Sequence, residues 1–475
     1  MNENMTIFDI IYPKYKITKP IRLIEFFAGY GSQALALKYL GVPFEHWKIC
    51  EWAIKSIQAY KDIHFTNDDI DYSRFMTKED LIEKLFDLGI SSNYNEPMTK
   101  QQITKLNEEL LKKIWDNIKV TNNLVNIQQV KGKDLEIVDT DKYDYILTYS
   151  FPCQDLSLAG KGKGMSDTST RSGMLWEVER ILTECYELRS MPQILLMENV
   201  PQVHGTDNVV DFNKWQLRLE ELGYKNYLQD LIATDYGIPQ TRNRCFMISI
   251  LGDYSYSFPP KQELKLKLKD MLEDNVEEKY YLSDKQIKDI KNWNDYEKPL
   301  ETIDNENSKT LTTRIGAYCS SMQLVRDNLK IKNATKQGYL EATYGDGIDL
   351  AQPNSQTRRG RVQKNSIQTL TTQNNLGVCI GTYQYAKSDN FMQGKDRLQL
   401  GKEVSDTIQT TQKEGIVNSD LRIRKLTPFE CFTLMGVKRK DYEKCAKNQS
   451  DSSLYHLAGD SIVVNVLMAI FRELM

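Results

Sequence analysis

The sequence predicts an α/β fold in which helices cover both faces of an open, doubly wound and mostly parallel sheet, with a smaller, mostly β second domain. Three observations support this. The chain opens with a strand, a glycine turn and a helix; several later strands end in an ionisable side chain or a cysteine; and the composition shifts toward Thr, Asn, Gln, Gly and Lys after about residue 253. A chain of 475 residues is long enough to form two domains.

The first strand and its turn are typical of a nucleotide-binding unit. Residues 21–27 predict a strand, 28–32 a glycine turn that lets a ligand approach the backbone, and 33–40 a helix. A second strand ends about 20 residues later in Glu51 and Trp52. The glutamate could accept hydrogen bonds from ribose hydroxyls and the tryptophan could face an adenine. A surface glutamate beside a core tryptophan is the alternative.

A third strand, residues 143–149, presents a cysteine. Pro152 stops this strand, because it cannot donate to a ladder, and leaves Cys153 at a carboxyl end, where open α/β sheets bind their ligands. The loop that follows is glycine-rich, contains Lys161 and Lys163, and could close over a substrate. The alternative is that the cysteine is a small buried hydrophobic residue.

The rest of the first domain continues the α/β pattern around a charged insertion. Residues 73–120 predict helices over 78–88 and 100–118, which we interpret as structural or regulatory, without chemistry. The sheet then resumes with Asn126 and Ile127. It continues through a helix over 174–187 and strands over 193–197, 227–234 and 245–251, the first of which ends in Glu198.

Composition limits the possible functions. The 62 basic and 65 acidic residues nearly balance, so nucleic-acid binding would depend on local patches. The eight cysteines include no C-x-x-C pair, which argues against a structural zinc site, and we predict no metal. The N-terminus has no secretory pattern, and the apolar run 462–471 is too short to span a bilayer. These features predict a cytoplasmic protein with reduced thiols.

Six short motifs occur in an order that resembles the S-adenosylmethionine-dependent cytosine C5 DNA methyltransferases of bacteria and phages. The resemblance covers residues 21–252 and 422–471 and implies a Rossmann-like methyltransferase sheet. The motifs are Phe26-Phe27-Ala28-Gly29-Tyr30-Gly31, Phe151-Pro152-Cys153-Gln154, Met197-Glu198-Asn199-Val200, Gln240-Thr241-Arg242-Asn243-Arg244, Arg424-Lys425-Leu426-Thr427-Pro428-Phe429-Glu430 with Leu434-Met435-Gly436, and Gly459-Asp460-Ser461-Ile462-Val463-Val464-Asn465-Val466.

The resemblance implies a covalent mechanism. Cys153 matches the family's nucleophile, which as a thiolate adds to C6 of cytosine and makes C5 reactive. Glu198 matches the acid that shares a proton with N3 of the base. Arg242, with Arg244 in the same motif, completes the catalytic group; Arg242 matches an arginine near the base and the cysteine. A structural ion pair between Glu198 and Arg242 is the alternative.

The resemblance also implies the contacts to S-adenosylmethionine. Three positions depart from the family pattern: Ser32 stands where glycine is commoner, Asn126 replaces an aspartate, and Asp460 replaces an asparagine. The predicted cofactor-binding residues are Phe27, Ala28, Gly29, Gly31, Glu51, Trp52, Asn126, Ile127, Pro152, Leu175, Asp460 and Ser461.

The resemblance divides the chain into a catalytic domain (1–252), a target recognition domain (253–421) and a returning segment (422–475). Short hydroxyl-rich pieces recur at 308–313, 367–372 and 406–411, and suit a small sheet facing a DNA groove. The basic patch around Arg361 and Lys364 could bind phosphates, although a solvated charge run is the alternative. The predicted DNA contacts are Gln154, Lys161, Lys163, Arg358, Arg359, Arg361, Thr407 and Ile408.

The sequence therefore predicts a DNA cytosine C5 methyltransferase that flips its target base out of double-stranded DNA. We expect a monomer, with a separately encoded restriction endonuclease as a possible partner. Two alternatives stay open. One is the same chemistry on tRNA, against which the large middle domain argues; the other is a non-catalytic DNA-binding module of the same fold, against which Cys153, Glu198 and Arg242 argue.

Overall fold

A computed structural model describes most of the sheet domain and parts of the middle region. The chain separates into two compact units, one comprising 1–238, 242–264 and 432–475 and the other 239–241 and 265–431. The described residues are 12–66, 70–151, 173–240, 242–266, 268–273, 276–280, 329–336, 338–342, 346–349, 361–366, 376–379, 383–386, 397–400, 416–417, 423–425 and 427–475.

The first unit is built on a six-stranded sheet in the order β2-β1-β3-β4-β6-β5. The first four strands in this order run parallel, whereas β6 runs antiparallel to both β4 and β5. Strands β1, β3 and β4 are buried along their whole length, as is typical of parallel strands covered on both faces, although each contains at least one charged residue. The strands are β1 Ile21–Phe26, β2 Phe44–Cys50, β3 Asp144–Tyr149, β4 Ile194–Asn199, β5 Tyr224–Ile232 and β6 Asn243–Leu251.

Helices cover both faces of this sheet, which confirms the predicted fold class. On one face α6 and α7 pack through residues such as Leu182 and Trp215 into the main core cluster. The helices are α1 Ser32–Leu40, α2 Ile54–His64, α3 Lys78–Leu88, α4 Lys100–Thr104, α5 Glu108–Val120, α6 Met174–Glu187, α7 Val209–Glu221, α8 Pro428–Leu434, α9 Arg439–Ala446, α10 Asp451–Asp460 and α11 Val464–Leu474.

The insertion forms a small helical layer with its own core. Buried side chains of α3, α4 and α5, among them Leu85 and Trp115, make a separate hydrophobic cluster. The helix predicted over 100–118 is two helices. Thr99 caps α4, and the Asn107 side chain accepts a hydrogen bond from the Leu110 N–H at the start of α5. This second cap explains the break, because an asparagine there favours a new helix start.

Two further predictions about elements need correction or comment. Asn126 and Ile127 form no strand; they follow an isolated bridge between Ile49 and Asn123 and lie in a turn. Within the described residues, the stretch Asp451–Leu474 has the length and apolar composition of a membrane span, although 72% of its most apolar window is buried. That burial is typical of core helices, and α10 and α11 are separated at Ser461.

The described pieces of the second unit are mostly short strands. They form a four-stranded sheet β10-β9-β11-β15, a three-stranded sheet β13-β12-β14 and a hairpin β7-β8. The strands are β7 Leu329–Lys332, β8 Tyr339–Ala342, β9 Gly347–Asp349, β10 Val362–Gln363, β11 Leu376–Cys379, β12 Tyr383–Ala386, β13 Arg397–Leu400, β14 Ile416–Val417 and β15 Ile423–Lys425.

Candidate active site

Strand ends that carry several of the predicted site residues, among those that the structure describes, meet at one edge of the sheet. Parallel strands β1, β3 and β4 all end at this edge, so the turn after Phe26, the segment after Tyr149, and Glu198 are neighbours. Strand β6 is antiparallel and pairs Cys245 with Asn199, so it begins where β4 ends. The arginine motif before and within β6 therefore reaches the same edge as the parallel strand ends.

The glycine turn after β1 leaves room for a ligand. Phe27 and Gly29 have positive φ angles of 56° and 55°. A side chain at Gly29 would meet no atom within 4 Å, so the backbone faces open space there. Gly31 is different, because a Cβ atom there would lie 2.5 Å from His64 Nε2. Gly31 must therefore be a glycine because it packs closely against α2, whereas Gly29 stays accessible.

Glu51 closes the turn from the end of β2. Its carboxylate accepts hydrogen bonds from the N–H groups of Gly29 at 3.0 Å and Ala53 at 2.8 Å. Burial raises the pKa of Glu51 to about 7, against the opposing effect of these backbone donors. A buried carboxyl beside an open glycine turn suits the hydroxyls of a ribose. This geometry fits the predicted nucleoside cofactor.

The other predicted cofactor residues differ in their surroundings. Trp52 is half-buried and packs against the core of the insertion, while Ile127 belongs to the main core. The Asn126 side chain is buried, and its Oδ1 accepts a hydrogen bond from the Gln128 N–H at 3.1 Å. Leu175 is fully buried in the main core cluster. Core packing accounts for Leu175 without a ligand, so the structure gives its predicted contact no support.

The last motif lies against the glycine turn. The Tyr30 hydroxyl donates to Ser461 Oγ at 2.8 Å, and Ser461 donates in turn to the carbonyl of Ala458 at 2.9 Å. Asp460 keeps its side chain 56% exposed and pairs with His456 at 3.0 Å. The charge of Asp460 contributes to the raised pKa values of both Glu51 and Glu198. Asp460 therefore lies close enough to both buried acids to affect their pKa values.

Glu198 is a buried acid held by one of the two motif arginines. Its Oε1 lies 3.1 Å from Nε of Arg244, and the two side chains are 8% and 16% exposed. Burial raises the pKa of Glu198, although the charges of Arg244 and Arg242 oppose the shift. A raised pKa favours the protonated form of the carboxyl, which is the form that a general acid needs.

Arg242 contacts the last motif. Its guanidinium donates to the carbonyls of Gly459 at 3.1 Å and Ser461 at 2.7 Å. The ion pair to Glu198 that we considered for Arg242 is made by Arg244 instead. Arg242 thus joins the start of β6 to the last motif, where it also lies near enough to lower the pKa of Glu198.

Asn199 connects the acid to the cysteine segment, a role that sequence reasoning missed. Its side-chain amide donates to the carbonyl of Phe151 at 3.0 Å, and its Oδ1 accepts from the Val200 N–H at 2.8 Å. Phe151 precedes Pro152 and Cys153. The only sequence signal was the position of Asn199 next to Glu198.

The predicted residues outside the described part of the chain are Pro152, Cys153, Gln154, Lys161, Lys163, Arg358, Arg359, Thr407 and Ile408.

The structure corrects the prediction for Arg361. This arginine is 1% exposed, and its guanidinium donates to the carbonyl of Asp349. Lys364, its neighbour in the predicted basic patch, pairs with Asp346 at 2.8 Å. Arg361 is therefore an internal support of the β9–β10 sheet in this structure, since a fully buried guanidinium cannot reach a phosphate.

Two further groups of residues were not predicted. The ring of Tyr94, in the insertion, contacts the tilted ring of His456 in α10, four residues before Asp460. No local sequence motif indicated this contact.

Within the described residues, His204, Asp230 and Cys245 form the one group whose donor atoms lie within 4.8 Å of one another, as metal ligands would. His204 and Asp230 already pair at 2.9 Å, which accounts for their proximity.

The fold and the site together define a class of enzyme. At one edge, a doubly wound sheet carries an open glycine turn, the buried Glu51 that accepts a hydrogen bond from this turn, and a second buried acid, Glu198. This class comprises α/β enzymes that bind a nucleoside cofactor and act on a second substrate beside it.

The particular family follows from comparison with known proteins. A model of the C-5 cytosine-specific DNA methylases matches residues 84–475, and the chain belongs to that family. It is a DNA (cytosine-5) methyltransferase. The chain is 31% identical to the type II methyltransferase M2.ScrFI of Lactococcus lactis subsp. cremoris, over 96% of this chain and 99% of that protein.

Two other similarities agree with this. The orphan methyltransferase M.SssI of Spiroplasma monobiae is 36% identical over 56% of this chain and 68% of its own length. The solved structure of the Entamoeba histolytica methyltransferase EhMeth covers 96% of this chain and 98% of its own chain, with a TM-score of 0.50 and 14% identity. At that identity the structural likeness bears on the fold alone.

Proposed function

We propose that this enzyme transfers a methyl group from S-adenosylmethionine to C5 of a flipped cytosine in a specific double-stranded DNA sequence, through a covalent adduct of Cys153. The observation that carries the proposal is the buried Glu198 carboxyl with its raised pKa, next to Asn199, whose side chain holds the backbone two residues before the cysteine. A buried acid beside the backbone that leads into a cysteine suits an addition reaction across the base.

Each side chain has a definable part in this chemistry. The Cys153 thiolate would form a bond to C6 of the cytosine as the C5–C6 π bond breaks, while Glu198 would give its proton to N3 and so neutralise the negative charge that the addition places on the ring. Arg244 holds the Glu198 carboxyl in place. After C5 has been methylated, loss of its proton restores the double bond and expels the Cys153 thiolate.

The residues around the glycine turn would hold the cofactor. Glu51 would accept hydrogen bonds from the ribose hydroxyls, and the open face of Gly29 would admit the nucleoside. Phe27 and Trp52 match the walls around the adenine in the family resemblance. When bound, S-adenosylmethionine supplies a sulfonium-activated methyl group. The protein's own contribution is to orient the cofactor and to place Glu198 at the base.

Sequence recognition is assigned to residues 253–421 in this proposal. The described pieces of that region are short strands, which suit a small sheet that reads a DNA groove. The named relatives include a type II and an orphan methyltransferase, so both a restriction partner and a solitary role are compatible with the family. We expect a monomer that acts on DNA in the cytoplasm.

A direct assay tests the proposal. Purified protein is incubated with tritiated S-adenosylmethionine and either unmethylated double-stranded DNA or a tRNA transcript, and methylated DNA positions are mapped by sequencing for 5-methylcytosine. We expect label in DNA at one sequence, none with Cys153→Ala, and near-normal label with Cys185→Ala, a matched change in the core. Label in tRNA alone would support the RNA alternative, and no label would favour the non-catalytic module.

A further inference from the structure

The glycine turn after β1, residues 27–31, is strained and depends on contacts from outside it. Phe27 adopts a positive φ of 56°, which costs energy for a residue with a side chain. Within the turn, the Gly31 N–H donates to the Ala28 carbonyl at 2.9 Å. Gly31 precedes α1 and offers that helix no side-chain cap. Groups on other elements must therefore keep the turn in the conformation that leaves Gly29 accessible.

Two side chains besides Glu51 hold this part of the chain. Glu25, in β1, accepts a hydrogen bond through Oε1 from the Ala34 N–H at 3.3 Å, in the first turn of α1. His64, the last residue of α2, has its Nε2 atom 3.0 Å from the carbonyl oxygen of Tyr30. His64 therefore bonds to the glycine turn itself, whereas Glu25 bonds to the helix that follows it.

The contact between His64 and Tyr30 defines the protonation of the imidazole. A carbonyl oxygen can only accept a hydrogen bond, so Nε2 of His64 must carry a proton and donate it. Loss of hydration lowers the pKa of His64 well below its usual value, and the nearby His46 lowers it further. The ring is therefore neutral at pH 7, with its single proton on Nε2 and none on Nδ1.

Aromatic packing keeps the His64 ring in place. Its centroid lies 4.6 Å from that of Tyr60 and 5.0 Å from that of His46. Tyr60 is fully buried, and its hydroxyl donates to Glu25 at 2.5 Å and lies 2.9 Å from Nδ1 of His46. The close approach of Gly31 to Nε2 leaves the ring little room to move away from the turn. The same cluster thus fixes both His64 and Glu25.

We propose that His64 is a positioning residue for the cofactor, which by donating from Nε2 to the Tyr30 carbonyl fixes the glycine turn with Gly29 open to the nucleoside. The effect extends to the last motif, because the Tyr30 hydroxyl donates to Ser461 at 2.8 Å. His64 acts through the Tyr30 backbone and not by touching the cofactor. A turn held in its binding conformation loses less binding free energy to ordering. This inference rests on the proposed use of S-adenosylmethionine.

The test separates the hydrogen bond from the packing of the ring. Binding of S-adenosylhomocysteine is measured by calorimetry for the wild type, His64→Leu, His64→Gln and His46→Leu, and thermal unfolding is measured without ligand. Leucine removes the donor, whereas the glutamine nitrogen lies as many bonds from Cα as Nε2 and can still donate. His46→Leu is the matched control, because His46 packs in the same cluster but makes its hydrogen bond to Tyr60. Steady-state methylation of DNA gives KM for S-adenosylmethionine and kcat.

We expect His64→Leu to weaken S-adenosylhomocysteine binding about three- to tenfold, the effect of one hydrogen bond. It should raise KM for S-adenosylmethionine by a similar factor and leave kcat at saturating cofactor unchanged, because a lost binding contact acts on KM. His64→Gln should restore most of the affinity. His46→Leu should lower the temperature of unfolding and bind S-adenosylhomocysteine as the wild type does.

Equal affinity of His64→Leu and the wild type would overturn this inference while leaving the proposed function intact. An equal loss in His64→Leu and His64→Gln, or in His64→Leu and His46→Leu, would also overturn it, because packing and not the donor would then be the cause. Failure of the wild type to bind S-adenosylhomocysteine would overturn the proposed cofactor, and this inference with it.

A measurement on the wild type keeps the inference testable if His64→Leu does not fold. The chain has four histidines, so ¹⁵N NMR of histidine-labelled protein gives few imidazole signals, and the His64→Gln variant identifies that of His64. We expect a neutral ring with the proton on Nε2. A proton on Nδ1 alone would overturn the inference, since Nε2 could not then donate to Tyr30.

Discussion

Replacement of Glu198 by glutamine is the sharpest test of the chemistry proposed for the sheet edge. Glutamine has nearly the shape of glutamate and can still contact Arg244, but it cannot carry the proton that the base requires. The wild-type carboxyl is buried, and burial raises its pKa, which favours the protonated form that can give a proton to the base. The substitution should therefore remove a chemical function while preserving the local packing.

The expected loss can be stated as a range. Removal of a general acid typically slows a reaction about a hundred- to ten-thousandfold, which corresponds to about 3–5 kcal/mol of activation free energy. Stability should change less. The Arg244 side chain would lose a charged partner at 3.1 Å, but it is 16% exposed and would keep a polar contact to the amide. We expect a loss of about 1–3 kcal/mol in the free energy of unfolding.

Single-turnover methylation of DNA, with enzyme in excess over substrate, measures this loss without interference from product release. Glu179→Gln is the matched control: Glu179 also pairs with an arginine, Arg218 at 2.9 Å, but lies on α6 away from the sheet edge. It should leave the single-turnover rate unchanged. A Glu198→Gln rate within about threefold of the wild type would refute the assignment of Glu198 as the proton-sharing acid.

Three further predictions concern covalency, specificity and pH. An oligonucleotide with 5-fluorocytosine at the target should become covalently attached to the peptide containing Cys153, because fluorine cannot leave as a cation; mass spectrometry mapping to another cysteine would contradict the site. Exchange of residues 253–421 for those of a relative should transfer sequence preference without changing the reaction, as sequencing for 5-methylcytosine would show. Burial raises the pKa of Glu25 to about 7, so the free energy of unfolding should fall as pH rises from about 4.3, the pKa of an unfolded glutamate, to about 7. Chemical denaturation should show that Glu25→Gln reduces this decline by up to about 1.4 kcal/mol per pH unit, and an unchanged slope would argue against the shift.

The elements of the catalytic domain could be predicted because their patterns are local. Helices α3 and α6 have the residue ranges that their periodicity indicated, and the buried strands β1, β3 and β4 lie within a few residues of theirs. The exceptions involve interactions that a pattern does not contain. One predicted helix divides at Asn107, whose side chain caps α5, and the segment at Asn126 is anchored by a bridge to β2 instead of forming a strand.

The candidate site could be predicted as a set of residue types, but not as a set of contacts. The sequence alone placed Glu51 and Glu198 at strand ends, because the carboxyl ends of parallel strands share an edge. Arg242 and Arg244 are two residues apart and equally able to face Glu198, so only the register of β6 against β4 decided which one pairs with it. The fold also decided that Arg361 is buried.

The sequence by itself therefore determined the class of the protein, the succession of strands and helices along its catalytic domain and the identity of its candidate acids and nucleophile, since these follow from local pattern and short motifs. The tertiary structure decided how residues remote along the chain meet: Asn199 at Phe151, Arg242 at Ser461, and Tyr94 on His456. Such contacts depend on how helices and loops pack on the sheet, and packing is set by the whole core and not by the few residues around each position.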